Sequence, residues 1–103
     1  MHLSKRKIKV ITDYFQDKPV LKAYLFGSYA RGEASRKNDI DILVEVDWNQ
    51  KIGLYFVQMH LELEDLLRKK VDFISNDGIS PYIRPYIEAD KILIYDKGAG
   101  GQD

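Results

Sequence analysis

A chain of 103 residues without cysteine has room for one small domain and excludes disulfide frameworks, thiolate zinc sites and cysteine nucleophiles. Its sixteen basic and sixteen acidic residues cancel to a formal net charge of zero, removing the long-range attraction a non-specific polynucleotide binder exerts, so direct polynucleotide binding is not expected. There is neither an apolar run of membrane-spanning length nor a signal peptide, and the expectation is a soluble cytoplasmic protein that makes no membrane contact.

Ser4 is placed to cap a helix over residues 4–16, in which Ile8, Ile11 and Phe15 recur at helical spacing and Val10 and Tyr14 broaden the stripe. Lys5, Arg6 and Lys7 fall in its first turn, where positive charge opposes the helix dipole, and they read as a solvated run. Asp17-Lys18-Pro19 ends the helix, and Val20 to Phe26 has the β-branched and aromatic content of a first strand. That strand runs into Gly27-Ser28. Gly27 can adopt the angles of a tight turn and lets a ligand approach the main chain, while Ser28 offers a hydroxyl and an N–H at the start of a short helix, the layout of a phosphate cradle. Residues 29–35 begin as a helical turn and continue as a loop, from which Arg31 either reaches for phosphate or pairs with Glu33.

Asn38 to Val46 reads as a second, central strand. Alternation sends Ile40, Ile42, Val44 and Val46 to one face and Asp39, Asp41, Leu43, Glu45 and Asp47 to the other. The apolar row needs burial. Carboxylates at i and i+2 on one strand have Cα atoms roughly 6.5 to 7 Å apart, near enough for their oxygens to converge on a pair of metal ions about 3.5 to 4 Å apart. An Asp-x-Asp pair alone is far more often the solvated face of a strand than a metal site; its distance from Gly27-Ser28, with a strand on each side, makes the pattern specific.

Residues 47–51 form a polar connection, and apolar residues at 52, 56, 59, 63, 66 and 67 mark one face of a helix over 52–69. Glu64 with Arg68 and Asp65 with Lys69 are spaced as i to i+4 pairs, and His60 reads as a helix-surface residue too remote from His2 to form a metal pair. A short strand follows over Lys70 to Ile74. Its Asp72 interrupts an apolar run, and a buried or half-buried carboxylate is costly unless paired or metal-bound. Ser80-Pro81 starts a helical turn over 80–83, Pro85 forces a break, and a short helix covers 85–89. Lys91 to Tyr95 is a last strand. Residues 1–97 make a single domain, and residues 98–103 a flexible tail.

The stretch from Gly27 to Asp41, Gly-Ser-Tyr-Ala-Arg-Gly-Glu-Ala-Ser-Arg-Lys-Asn-Asp-Ile-Asp, resembles the signature of the DNA polymerase β-like nucleotidyltransferase superfamily, in particular its minimal (MNT) branch. The likeness covers nearly the whole chain in length and element order, but only this signature is specific. It implies an α/β nucleotidyltransferase fold: a mixed β-sheet with helices packed on one face and an acidic active cleft on the other.

The same resemblance implies transfer of AMP from ATP to an acceptor hydroxyl. Asp39 and Asp41 would hold two Mg²⁺ ions, Asp72 would complete a metal site and act as base, and Gly27, Ser28 and Arg31 would bind the departing phosphates. Proteins of this size in the family are similar to antitoxin halves of HEPN/MNT modules, in which the partner is a helical HEPN toxin and the acceptor one of its tyrosines. The alternative is a non-catalytic antitoxin that neutralises its partner by covering it. Clustered like charges, which a pure binder does not need, speak against that. Homo-oligomerisation is left open.

Overall fold

The computed structural model describes residues 2–49 and 52–100. Helix α1 (Lys5–Phe15) begins where the Ser4 hydroxyl accepts a hydrogen bond from the Lys7 amide at 3.2 Å. Strand β1 (Val20–Phe26) leads into the five-residue helix α2 (Gly27–Arg31), which Gly32 closes in the left-handed conformation. Strand β2 (Ile40–Val46), helix α3 (Tyr55–Leu67) and strand β3 (Val71–Ser75) form the middle of the chain. A 3-10 turn (Asn76–Gly78), helix α4 (Arg84–Asp90), strand β4 (Ile92–Asp96) and a final helical turn α5 (Lys97–Gly100) complete it.

The four strands make one mixed sheet in the order β3-β2-β1-β4. β1 is antiparallel to both β2 and β4, whereas β2 and β3, joined through α3, are parallel. This is the α/β architecture with a mixed sheet that the resemblance implies.

Ile40, Ile42, Val44 and Val46 are buried together beneath α1 and α3, with Ile11, Phe15, Met59 and Leu63 filling the layer. Phe73 anchors β3 there, its ring 4.7 Å from that of Phe56. The opposite face is not left open along its length. Leu43 is fully buried in a second cluster with Phe26, Ile79 and Ile87, because the segment from the 3-10 turn through α4 folds across that half of the sheet. The acidic row is thereby cut in two, with Asp41 on one side of Leu43 and Glu45 on the other.

Four local expectations change. β2 starts at Ile40, so Asp39 stands just ahead of the strand, as the last residue of a loop. α3 ends at Leu67 because Arg68 turns left-handed at φ 53°, which separates Glu64 from its expected partner. Glu64 instead accepts the Val71 amide at 2.9 Å, and half-buried His60 stands with Nε2 2.6 Å from the Val71 carbonyl oxygen and its ring stacked on Phe73. The loop-to-β3 junction is thus fixed by side chains of the preceding helix. Fourth, the tail expected from residue 98 begins as α5, where the Gly98 amide bonds to Asp96, and its last three positions lie outside the described residues.

Candidate functional site

The site is built where the carboxyl end of β1 meets the amino end of β2. Antiparallel pairing places Phe26 opposite Asp41, so the next residue, Gly27, passes directly over the Asp41 side chain. Gly27 has φ 71°, a left-handed angle that favours glycine, and a β-carbon there would collide with the Asp41 carboxylate. The turn therefore needs glycine twice, for its angle and for the carboxylate beneath it. Ser28 follows as the second residue of α2; among the described residues its hydroxyl has no hydrogen-bond partner.

Parallel pairing of β2 with β3 places Asp72 in register with Asp41. Adjacent strands lie about 4.8 Å apart, and residues in register on them point to the same face. Asp72 is exposed, so the burial cost expected from the sequence does not apply to it; its register with Asp41 is what sets it beside the other acids. Asp39 is also exposed. Asp41 is half-buried, and its carboxyl is pushed up to about 6, first by burial and then by the charges of Asp72 and Asp39, with Arg31 opposing. All four side chains therefore share one electrostatic neighbourhood.

Arg31 is held from two directions: its Nε donates to Glu33 at 2.9 Å and one terminal nitrogen to Asp90 at 2.6 Å. Its guanidinium is raised further above its ordinary range by the bonds to Glu33 and Asp90. The pairing with Glu33 that the sequence leaves open is formed, and a second pairing, with the last residue of α4, joins it. Asp90 is the residue sequence reasoning misses, since it lies 59 positions from Arg31 and no local pattern marks it.

Among the described residues, no three histidine or acidic side chains converge closely enough to hold a metal ion alone. The donor set nevertheless suits a hard cation that takes one or two carboxylates and fills its remaining positions with water and phosphate oxygens, as Mg²⁺ does. Asp41 and Asp72, in register on neighbouring strands, supply such a pair, with Asp39 as the neighbouring donor.

A family model described as a nucleotidyltransferase domain matches residues 7–94. The chain is 39% identical over 88 residues to a Methanocaldococcus jannaschii protein provisionally named a protein adenylyltransferase, with 84% of this chain and 85% of that one covered. Among solved structures, one provisionally identified as a minimal nucleotidyltransferase superposes with a TM-score of 0.72 at 28% identity, over 85% of this chain and 89% of that one. A chain from the complex of a tri-AMPylated Shewanella oneidensis HEPN toxin with an MNT antitoxin superposes with a TM-score of 0.69 over 96% of this chain and 77% of that one; at 17% identity the likeness is one of fold.

Proposed function

This chain belongs to the nucleotidyltransferase family, and from that premise we propose that it transfers AMP from ATP to a hydroxyl of an acceptor protein. The acceptor we assign is a tyrosine of a helical HEPN-type toxin, which makes this chain the antitoxin of the pair. The M. jannaschii relative's name supports the protein acceptor, and the fold shared with a chain of the S. oneidensis complex supports the toxin. The observation that carries the reading is Asp41, packed beneath the Gly27 turn and in register with Asp72 on the neighbouring parallel strand.

In this reaction the acceptor oxygen attacks the α-phosphorus, the bond from that phosphorus to the bridging oxygen of the β-phosphate breaks, and pyrophosphate leaves. The hydroxyl proton passes to a carboxylate, and Asp72, exposed at the edge of the acidic group, is the base we assign. Gly27 and Ser28 bind the β and γ phosphates: glycine lets them approach the main chain, and Ser28 contributes a hydroxyl with no competing partner among the described residues. Arg31 neutralises the departing charge once it exchanges a carboxylate partner for phosphate. Two Mg²⁺ ions, when bound, supply Lewis-acid stabilisation of the charge on the phosphoryl oxygens, and Asp39, Asp41 and Asp72 are the side chains that would hold them.

The test is to incubate the protein with ATP, Mg²⁺ and the candidate HEPN toxin and then weigh the toxin intact. Addition of one or more AMP units, lost when Asp39 and Asp41 are both changed to Asn, is the expected result. A tight complex with no added mass would replace transfer by neutralisation through binding alone.

A further inference from the structure

The chain is neutral overall, but its charge is not evenly spread. Three basic residues from two distant runs of the sequence, Arg6 and Lys7 in one and Arg68 in the other, line a groove of about 520 Å³ between the start of α1 and the end of α3. Its other lining residues are Ser4, Val10, Leu66 and Leu67, with no acidic side chain among them. From Arg68 the positive surface continues through Lys69, whose Nζ donates to the Arg36 carbonyl at 2.7 Å, and Lys70, whose carbonyl accepts the Ile40 amide at 3.0 Å. Ile40 is the residue between Asp39 and Asp41. The groove therefore leads, within three residues of chain and one backbone hydrogen bond, to the acidic site.

Among the described residues none of Arg6, Lys7, Arg36, Arg68, Lys69 and Lys70 forms an ion pair, whereas Lys9, Lys18, Arg31, Arg84 and Lys91 all do. Lys70 nonetheless lies in the field of Glu64, and Lys69 stands 5.9 Å from the centre of the Tyr29 ring. Arg6 and Lys7 stand in the first turn of a helix, where cations are locally unfavourable. The floor of the groove is aliphatic, with Val10 half-buried and Leu66 51% exposed. Polynucleotide channels combine basic rows with aromatic stacking surfaces, and no aromatic side chain lines this one. Basic rims around an aliphatic floor match a protein segment that pairs acidic side chains with an apolar anchor.

We infer that the groove between α1 and α3 docks an acidic, leucine- or isoleucine-bearing segment of the acceptor protein and that the basic path through Lys69 and Lys70 guides its hydroxyl to Asp39 and Asp41. This rests on the proposed protein acceptor and adds to it the charge of the substrate and the surface that selects it.

The test uses a fluorescent random copolymer of glutamate and tyrosine as probe, with a lysine–tyrosine copolymer and a single-stranded RNA as comparisons. Binding is read by anisotropy without ATP, on the wild type and on Arg6→Glu, Arg68→Asn and the double variant. Arg6→Glu places an acid where the helix dipole favours it, and Asn tolerates the left-handed angle at position 68, so both variants are expected to fold. The acidic copolymer should bind the wild type in preference to both comparisons, and the double variant should weaken it at least tenfold with ATP affinity unchanged. Acidic-copolymer binding that survives the double variant overturns the inference. So does tighter binding of RNA that the same variant abolishes, which would make the groove a nucleic-acid surface. AMP incorporation is scored separately: if no acceptor is modified while binding behaves as expected, the transfer reading fails and the docking surface stands.

Discussion

Gly27 and Asp41 occupy the same corner of the fold: the glycine's missing side chain is the space that the carboxylate fills. The turn proposed to bind phosphate and the acidic strand are thus one structural unit, packed against each other by the pairing of Phe26 with Asp41. Substitution at position 27 disturbs both at once. Gly27→Ala should cost about 1 to 2 kcal/mol for the left-handed angle and lower nucleotide transfer by more than about a hundredfold, through displacement of the carboxylate. Denaturant titration and turnover assays read the two effects separately. Full activity in a destabilised variant would show that the contact is structural only.

Asp41 carries a pH signature. Its folded-state pKa of about 6 lies above the ordinary 3.8, so the folded protein holds that proton more tightly than the unfolded chain. The resulting stabilisation is fully present below the unfolded value and is lost as the pH rises through 6. Without divalent cations, this one group should make the protein more stable at pH 5 than at pH 7.5, by on the order of 1 kcal/mol once solvent screening of a half-exposed carboxyl is allowed for. Asp41→Asn should remove that increment. Urea midpoints for both proteins at both pH values check the sign, and an increment unchanged in the variant would assign it to another group.

Asp72 and Asp41 share a register but not an environment, one exposed and the other half-buried. Asp72→Asn is expected to leave ATP binding largely intact and to slow transfer by roughly a hundredfold through loss of the base. Isothermal titration with ATP and Mg²⁺, alongside single-turnover transfer, separates the two. Transfer at the original rate would make Asp72 a solvated strand residue.

The two partners of the Arg31–Asp90 ion pair should respond in opposite directions. Asp90→Asn frees the guanidinium for the triphosphate and should tighten ATP binding by about two- to fivefold, the range of an exposed pair. Arg31→Ala removes the cation and should weaken ATP binding. Equal weakening by both changes would mean that Asp90 supports the site by holding Arg31 in place.

Much of this protein is written in local patterns. The alternation of Ile40, Ile42, Val44 and Val46 dictates a buried strand face because side chains of a strand point alternately to two sides. The spacing of Ile8, Ile11 and Phe15 likewise yields α1, with Ser4 as its cap. Gly27-Ser28 and Asp39-x-Asp41 are legible as two halves of one candidate site because each needs a particular residue type at a particular point on a strand or turn.

What local pattern could not supply was decided by contacts between residues far apart in sequence. Leu43 alternates onto the acidic side, yet it is fully buried because Ile79 and Ile87 come from 36 and 44 positions further on to cover it. Glu64 has an Arg four residues ahead, but the left-handed turn at Arg68 sends its carboxylate to the first amide of β3. Asp90 reaches Arg31, and Arg68 comes to line one groove with Arg6 and Lys7, only after the sheet has set where each helix ends. Periodicity reports which face of an element is apolar. Which elements meet, and which charges meet with them, depends on the packing of the whole sheet, and that is a property of the folded chain alone.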